Sequence, residues 1–291
     1  MLSAMDLNGK SCIVTGATSG IGEATAMTLA AAGARLGILC RDPAKGERTL
    51  QRIRSQTGND AVQLFRADLA SQAEIRAVAA EILASFDQIQ LLINNAGVVN
   101  LKYSETVDGI ETTFAVNHLA YFLLTNLLLD RVRASAPARI VNVASDAHKF
   151  FGGINFDDPN FRGRYKSMRV YGHSKLANIL FTRELARRLE GTGVTVNAVH
   201  PGAVASGLGT NNGSVAKVLT SVLGIFFKNP EQGAATSLHV AMSPELEGVS
   251  GRYFAKSREA RVSSSARDDE AAARLWTLSE EMTGLASPQP S

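Results

Sequence analysis

Cysteine is nearly absent: Cys12 and Cys40 are the only two, they lie in apolar runs, and neither forms a CxxC or a Cys/His metal spacing. They read as reduced core residues, which excludes a disulfide framework and fits a reducing, cytoplasmic setting. An excess of charge is missing too. The formal net charge is +3 with acids and bases mixed throughout, so there is neither a basic stripe for nucleic acid nor a polybasic patch for a membrane surface. No N-terminal stretch follows the charged, apolar and small-residue order of a signal peptide, no apolar run reads as long enough to span a bilayer, and no repeat or low-complexity block interrupts the chain. What remains is 291 residues, 45% hydrophobic and 20% charged, enough to bury a large core as a single domain over residues 1–291. The expected partners are small molecules, with a homo-oligomer left open.

Short apolar runs alternate with longer helical patterns, from KSCIVTG and RLGILC through IQLLINNAG and ARIVNVAS to VTVNAVHPG. Strands apolar throughout and separated by helices imply a parallel sheet covered on both faces, a doubly wound α/β fold. Such sheets bind ligands at the carboxyl ends of their strands. Two stretches break the rhythm: the Phe-rich loop from Asp146 to Val170, and an insertion at about 203–228 that reads as a lid. Residues 285–291 read as a disordered tail.

The first strand runs into TGATSGIG. Gly16, Gly20 and Gly22, with the backbone N–H groups of Ser19 and Ile21, sit where a strand turns into a helix, a geometry that either meets a pyrophosphate or simply needs glycine to turn. At the end of the second strand, where an acid would bind an adenosine ribose, stand Cys40 and Arg41. Arginine suits a 2′-phosphate, so NADP(H) is expected over NAD(H). Asp42 and Pro43 read as a helix N-cap and first turn. Asp68 suits either acceptance from an adenine amine or a helix cap, with Leu69 packing the ring. Asn95, Ala96 and Gly97 form a tight turn that permits close backbone approach to a cofactor.

YGHSK places Tyr171 and Lys175 one helical turn apart on one face. A neighbouring ammonium favours a phenolate, which makes Tyr171 a proton donor tuned toward neutral pH; the alternative is a tyrosine resting on a lysine stem.

These motifs, together with Asn117 in FAVNHL, Ser145 at the end of IVNVAS and the HPG after the sixth strand, resemble the short-chain dehydrogenase/reductase family in type and order, from about Leu7 to Trp276. CRD, VNHLAYFLL, DAHKF and YGHSKLANILFTRELARRL most resemble its retinol-dehydrogenase and WW-domain-oxidoreductase branch. The resemblance implies a Rossmann-type fold and metal-free chemistry on an alcohol or carbonyl. Tyr171 would be the general acid or base, Lys175 would tune it and bind the nicotinamide ribose, and Ser145 would hold the substrate oxygen. Asn117 would hold a water, and Pro201, Gly202, Val204 and Ser206 would line the cofactor. Ser206 stands where threonine is usual, and the long gap between Ser145 and Tyr171 follows the retinol-dehydrogenase-like pattern. The expected function is NADP(H)-dependent interconversion of a carbonyl and an alcohol on a small, lipophilic molecule; the alternative is a catalytically silent NADP(H) sensor or scaffold. No G-x-S-x-G elbow supports a hydrolase.

Overall fold

The computed structural model describes residues 7–163, 165–202 and 229–285; the expected lid, Val204, Ser206 and all of the expected tail but Leu285 lie outside them. Eight strands form one sheet: β1 (Ser11–Thr15), β2 (Arg35–Cys40), β3 (Val62–Arg66), β4 (Leu91–Asn94), β5 (Ala138–Val143), β6 (Val194–His200), β7 (Tyr253–Ala255) and β8 (Arg258–Glu259). Their order is β3-β2-β1-β4-β5-β6-β7-β8, parallel except for the antiparallel β8. The chain winds outward through β1, β2 and β3, then returns to place β4 beside β1. That reversal leaves a crevice at the carboxyl ends of β1 and β4.

The central strands are buried on both faces because helices cover both. α1 (Gly20–Ala31), α2 (Pro43–Thr57) and α6 (Pro230–Met242) pack on one side; α3 (Gln72–Ser85), α4 (Thr112–Ala134) and α5 (Ser167–Arg188) pack on the other, where α7 (Asp269–Thr283) closes over α4 and α5. Local chemistry starts and stops these helices as the sequence indicates. Asp42 caps α2, its Oδ1 accepting from the N–H groups of Ala44 at 2.9 Å and Lys45 at 3.1 Å, with Pro43 in the first turn.

Three expectations are corrected. The helix carrying Tyr171 begins at Ser167, four residues before the tyrosine, so the loop after Ser145 is shorter than the composition implied. The stretch Asp146–Lys149 is a 3₁₀ turn rather than open loop. Among the described residues one apolar helix, α4, is long and apolar enough by length and composition to cross a membrane, contrary to the sequence reading, but 78% of its most apolar window is buried inside the fold. It packs as a core helix, with Tyr121, Phe122, Leu123 and Leu124 all buried.

Candidate active site

The carboxyl ends of six strands converge on a cleft of about 270 Å³. Gly16, Ser19, Ile21, Gly22, Arg41, Asp68, Leu69, Asn95, Ala96, Gly97, Ser145, Tyr171, Lys175, Pro201 and Gly202 all line it. The sequence placed these residues in one site, and the fold brings them together from positions up to 186 residues apart. Gly20 and Asn117 do not line it. Gly20 opens α1 with φ +55°, while Asn117 is fully buried behind the wall. A larger groove, about 1160 Å³, lies at the amino ends of the strands and holds none of these residues.

The glycine turn fits a pyrophosphate for a structural reason. Ser19 occupies the N-cap of α1 without a side-chain cap, whereas Asp42, Ser71, Asn229 and Asp268 cap α2, α3, α6 and α7. The first N–H groups of α1 therefore remain available to an anion in the cleft, where the helix dipole also favours one. The glycines are needed for closeness as well. A Cβ on Gly16, whose φ is +66°, would lie 2.8 Å from Ala96 Cα, and one on Gly22 would lie 2.2 Å from Gly16 O and 2.4 Å from Asn95 Nδ2. Asn95 ties this turn to β4: its Nδ2 donates to Thr15 O at 2.9 Å, and Thr15 Oγ1 accepts from the N–H groups of Asn95 and Ala96 at 2.9 and 3.1 Å. Thr15 was missed in the sequence because only the β1–β4 pairing gives it partners. Gly22→Ala is expected to force the two turns apart and lower stability by about 1–3 kcal/mol, the usual cost of overpacking. Thermal melting would check this, with nicotinamide-cofactor binding falling in parallel.

At the ends of β2 and β3, Arg41 is well exposed and stands 3.9 Å from the Asp68 carboxylate. An exposed pair at that distance contributes little, so the guanidinium is available to a stronger anion. Asp68 does serve locally, its Oδ1 accepting from Ala70 N–H at 3.0 Å, which leaves its other oxygen toward the cleft and Arg41.

At the other end, Tyr171 and Lys175 share a helix face. Lys175 Nζ lies 5.7 Å from the Tyr171 ring centroid and 5.8 Å from that of Tyr121. The Lys175 ammonium donates to Val143 O at 3.0 Å, leaving donors for a ligand's hydroxyls in the cleft it lines. Burial pushes its pKa down to about 7. Burial also raises Tyr171 above the ordinary tyrosine value, against a hydrogen bond with Ser145 that lowers it. The lysine-driven lowering expected from the pentapeptide is therefore not the balance here, because desolvation acts on both groups and leaves the lysine only partly charged near neutrality. Ser145 also serves the turn it opens: its Oγ accepts from Ala147 N–H at 3.2 Å and caps the 3₁₀ turn.

Asn117 sits in a π-helical segment, Ala115–Leu119, within α4. Its amide donates to Val98 O and Ser174 Oγ, both at 3.0 Å, and its oxygen accepts from Val98 N–H at 2.8 Å. Both donors are committed to clamping the β4 turn to α5, so only an acceptor lone pair remains for the water expected of it. Ser174 continues the contact, donating to Tyr171 O at 2.7 Å. Tyr121, also unforeseen, donates to Ala96 O at 2.7 Å and supports the same turn from behind.

The glycine turn at the uncapped helix, Arg41 at the second strand end and the Ser145, Tyr171 and Lys175 group thus share one cleft of a parallel α/β fold. The short chain dehydrogenase family model matches residues 10–215. Retinol dehydrogenase 12 of Mus musculus is 50% identical over 97% of this chain and 88% of its own length, and retinol dehydrogenase 14 of Homo sapiens is 45% identical over 96% and 88%. Among solved structures, the Pseudomonas aeruginosa RhlG/NADP active-site complex superposes with a TM-score of 0.69 at 29% identity, covering 88% of this chain and 97% of that one. A short chain dehydrogenase from Burkholderia cenocepacia in complex with NADP gives 0.68 at 27%, covering 90% and 100%. The chain belongs to the short-chain dehydrogenase family, in its retinol-dehydrogenase branch. It is accordingly a nicotinamide-dinucleotide-dependent oxidoreductase acting on alcohol and carbonyl groups.

Proposed function

We propose that the protein uses NADP(H) to interconvert a lipophilic aldehyde or ketone and its alcohol, with Tyr171 as general acid in reduction and general base in oxidation. The observation that carries this reading is the convergence of Ser145, Tyr171 and Lys175 on the cleft that also holds the Gly16–Gly22 turn and Arg41. A nicotinamide held in this cleft would supply or accept the hydride at the substrate carbon, and the chain's own groups do the rest. Ser145 Oγ and the Tyr171 hydroxyl, on two residues that both line the cleft, together hold the substrate oxygen. Tyr171 gives it a proton as it becomes an alkoxide and recovers the proton in the reverse direction. Lys175 serves the ribose and the phenol at once, and a pyrophosphate in the same cleft would favour its charged form. The retinol dehydrogenases among its relatives carry an apolar alcohol in their names, which supports a substrate of that character.

Arg41 supports the preference for NADP(H), as does the bonded state of Asp42, whose carboxylate is committed to capping α2. Arg41→Ala is expected to weaken NADPH binding by about 1.5–3 kcal/mol, the range for a charge-assisted hydrogen bond, and to leave NADH nearly unaffected. Titration by nicotinamide fluorescence reads both, and equal losses would refute the assignment. The test of the whole reading is oxidation of NADPH by a panel of aldehydes and ketones. Binding of NADPH without turnover of any of them would favour a silent sensor.

A further inference from the structure

The middle of the YGHSK pentapeptide contains two residues the chemistry does not use, Gly172 and His173. His173 is buried, and its Nε2 accepts from the backbone N–H of Asn155, in the loop between Ser145 and Tyr171, at 2.8 Å. An Nε2 that accepts leaves the ring proton on Nδ1, which is buried without a hydrogen-bond partner among the described residues. The imidazole is therefore held neutral, and burial pushes its pKa down to about 3. Its ring meets Phe161 edge-on at 4.8 Å and 87°. Phe161 is itself buried, with φ +53°, a left-handed backbone that a bulky residue adopts only when its surroundings impose it. One position earlier on the helix, the missing side chain of Gly172 makes room for the loop: a Cβ there would lie 2.3 Å from Phe151 Cδ2 and 2.8 Å from Ala147 O.

We infer that His173 is a positioning residue that holds the Phe-rich loop as a wall of the substrate mouth. The loop starts at one residue that holds the substrate oxygen and ends on the helix that carries the other, so both its ends flank the cleft. Successive residues on α5 then divide the work. Tyr171 faces the cleft, Gly172 seats Phe151, and His173 fixes Asn155 and Phe161. The wall sets which substrates bind and leaves proton transfer alone. This inference rests on the carbonyl–alcohol reading above.

The experiment compares His173→Phe, which keeps a ring and loses the acceptor, with His173→Gln, whose amide oxygen can accept from Asn155. NADPH-dependent reduction is measured with straight-chain aldehydes of increasing length, and amide exchange is followed in the ligand-free protein. His173→Phe should raise KM for the long aldehydes roughly tenfold, the scale of one buried hydrogen bond, with kcat and the short-aldehyde KM within about twofold. His173→Gln should restore most of that loss. Exchange should quicken only between residues 150 and 163. Unchanged loop exchange and KM in His173→Phe would overturn the inference, as would a fall in kcat at constant KM for every chain length, which would place the ring in proton transfer. If neither variant folds, the parent decides: the Asn155 amide should be the most protected of its loop, and exchange at its neighbours' rate refutes the strut. Absence of turnover on every aldehyde would instead refute the carbonyl–alcohol reading, while the exchange data still report on His173.

Discussion

Tyr171→Phe should reduce turnover by about 10²- to 10⁴-fold, the range for removal of a general acid or base, while NADPH affinity stays within a few-fold. The substitution deletes one oxygen and keeps a ring that is partly buried and lines the cleft, so packing changes little. The sign of the accompanying pH dependence follows from the site. Burial holds the phenol above the ordinary tyrosine value in the ligand-free protein. Oxidation requires the phenolate, so its rate rises with pH, and an apparent pKa below that of free tyrosine in turnover would show that cofactor binding recharges Lys175. Comparing the pH–rate profile with ultraviolet titration of the ligand-free protein separates the two states. Ordinary turnover in Tyr171→Phe, on a substrate the parent accepts, would reduce the pentapeptide to a tyrosine resting on a lysine.

Lys175→Met should act in two opposite directions. Turnover should fall by about 10²-fold or more and NADPH affinity should fall with it, since one ammonium is assigned both the phenol and the ribose. The ligand-free protein, however, should become more stable near pH 7, by about 1 kcal/mol or more, because a buried cation with a single acceptor among the described residues is replaced by an apolar chain of similar length. The pH trend identifies the cause. With the lysine at about 7 in the folded state and near its ordinary value unfolded, the unfolded chain holds the extra proton between those limits. Its contribution to stability is therefore lowest below pH 7 and recovers as pH rises, by up to roughly 1.4 kcal/mol per pH unit for one group. The stability difference between parent and variant, from denaturant melts between pH 7 and 10, should shrink accordingly. A constant difference would show that the ammonium is not strained by burial.

Most of the central sheet was legible because a parallel strand buried on both faces must be apolar throughout, as CIVT and LGIL are, and because glycines and caps mark the turns. The cleft was legible for a related reason: its residues sit at strand ends, and the alternation of strands and helices says where those ends are. The partners of buried polar groups were not. Asn94 donates to Thr125 Oγ1 and Asn142 Oδ1, and Asn142 to Thr182 Oγ1, across separations of 31, 48 and 40 residues. No local pattern encodes such a network, because each amide looks like any strand or helix residue until the sheet is assembled. The π-helical segment at Asn117 escaped for the same reason. β7 and β8 escaped because strands of three and two residues carry no period to read. The balance of pKa effects at Lys175 and Tyr171 was misjudged because spacing reveals a neighbour but not the depth at which the pair is buried.

The packing of α7 gives the molecule a built-in optical reporter. Trp276 is the only tryptophan in the chain. It is nearly fully buried, edge-to-face with Phe122 at 4.9 Å and tilted against Phe181 at 5.9 Å, with the Arg188 guanidinium 3.9 Å above its ring and its indole N–H donating to Glu280 at 2.8 Å. Phe181 and Arg188 ride on the helix that carries Tyr171. Emission from this one indole therefore records whether the C-terminal helix is docked on the catalytic helix, with no label and no competing fluorophore of its kind. A red shift that precedes loss of helical signal on denaturation would mean that α7 peels away before the sheet opens.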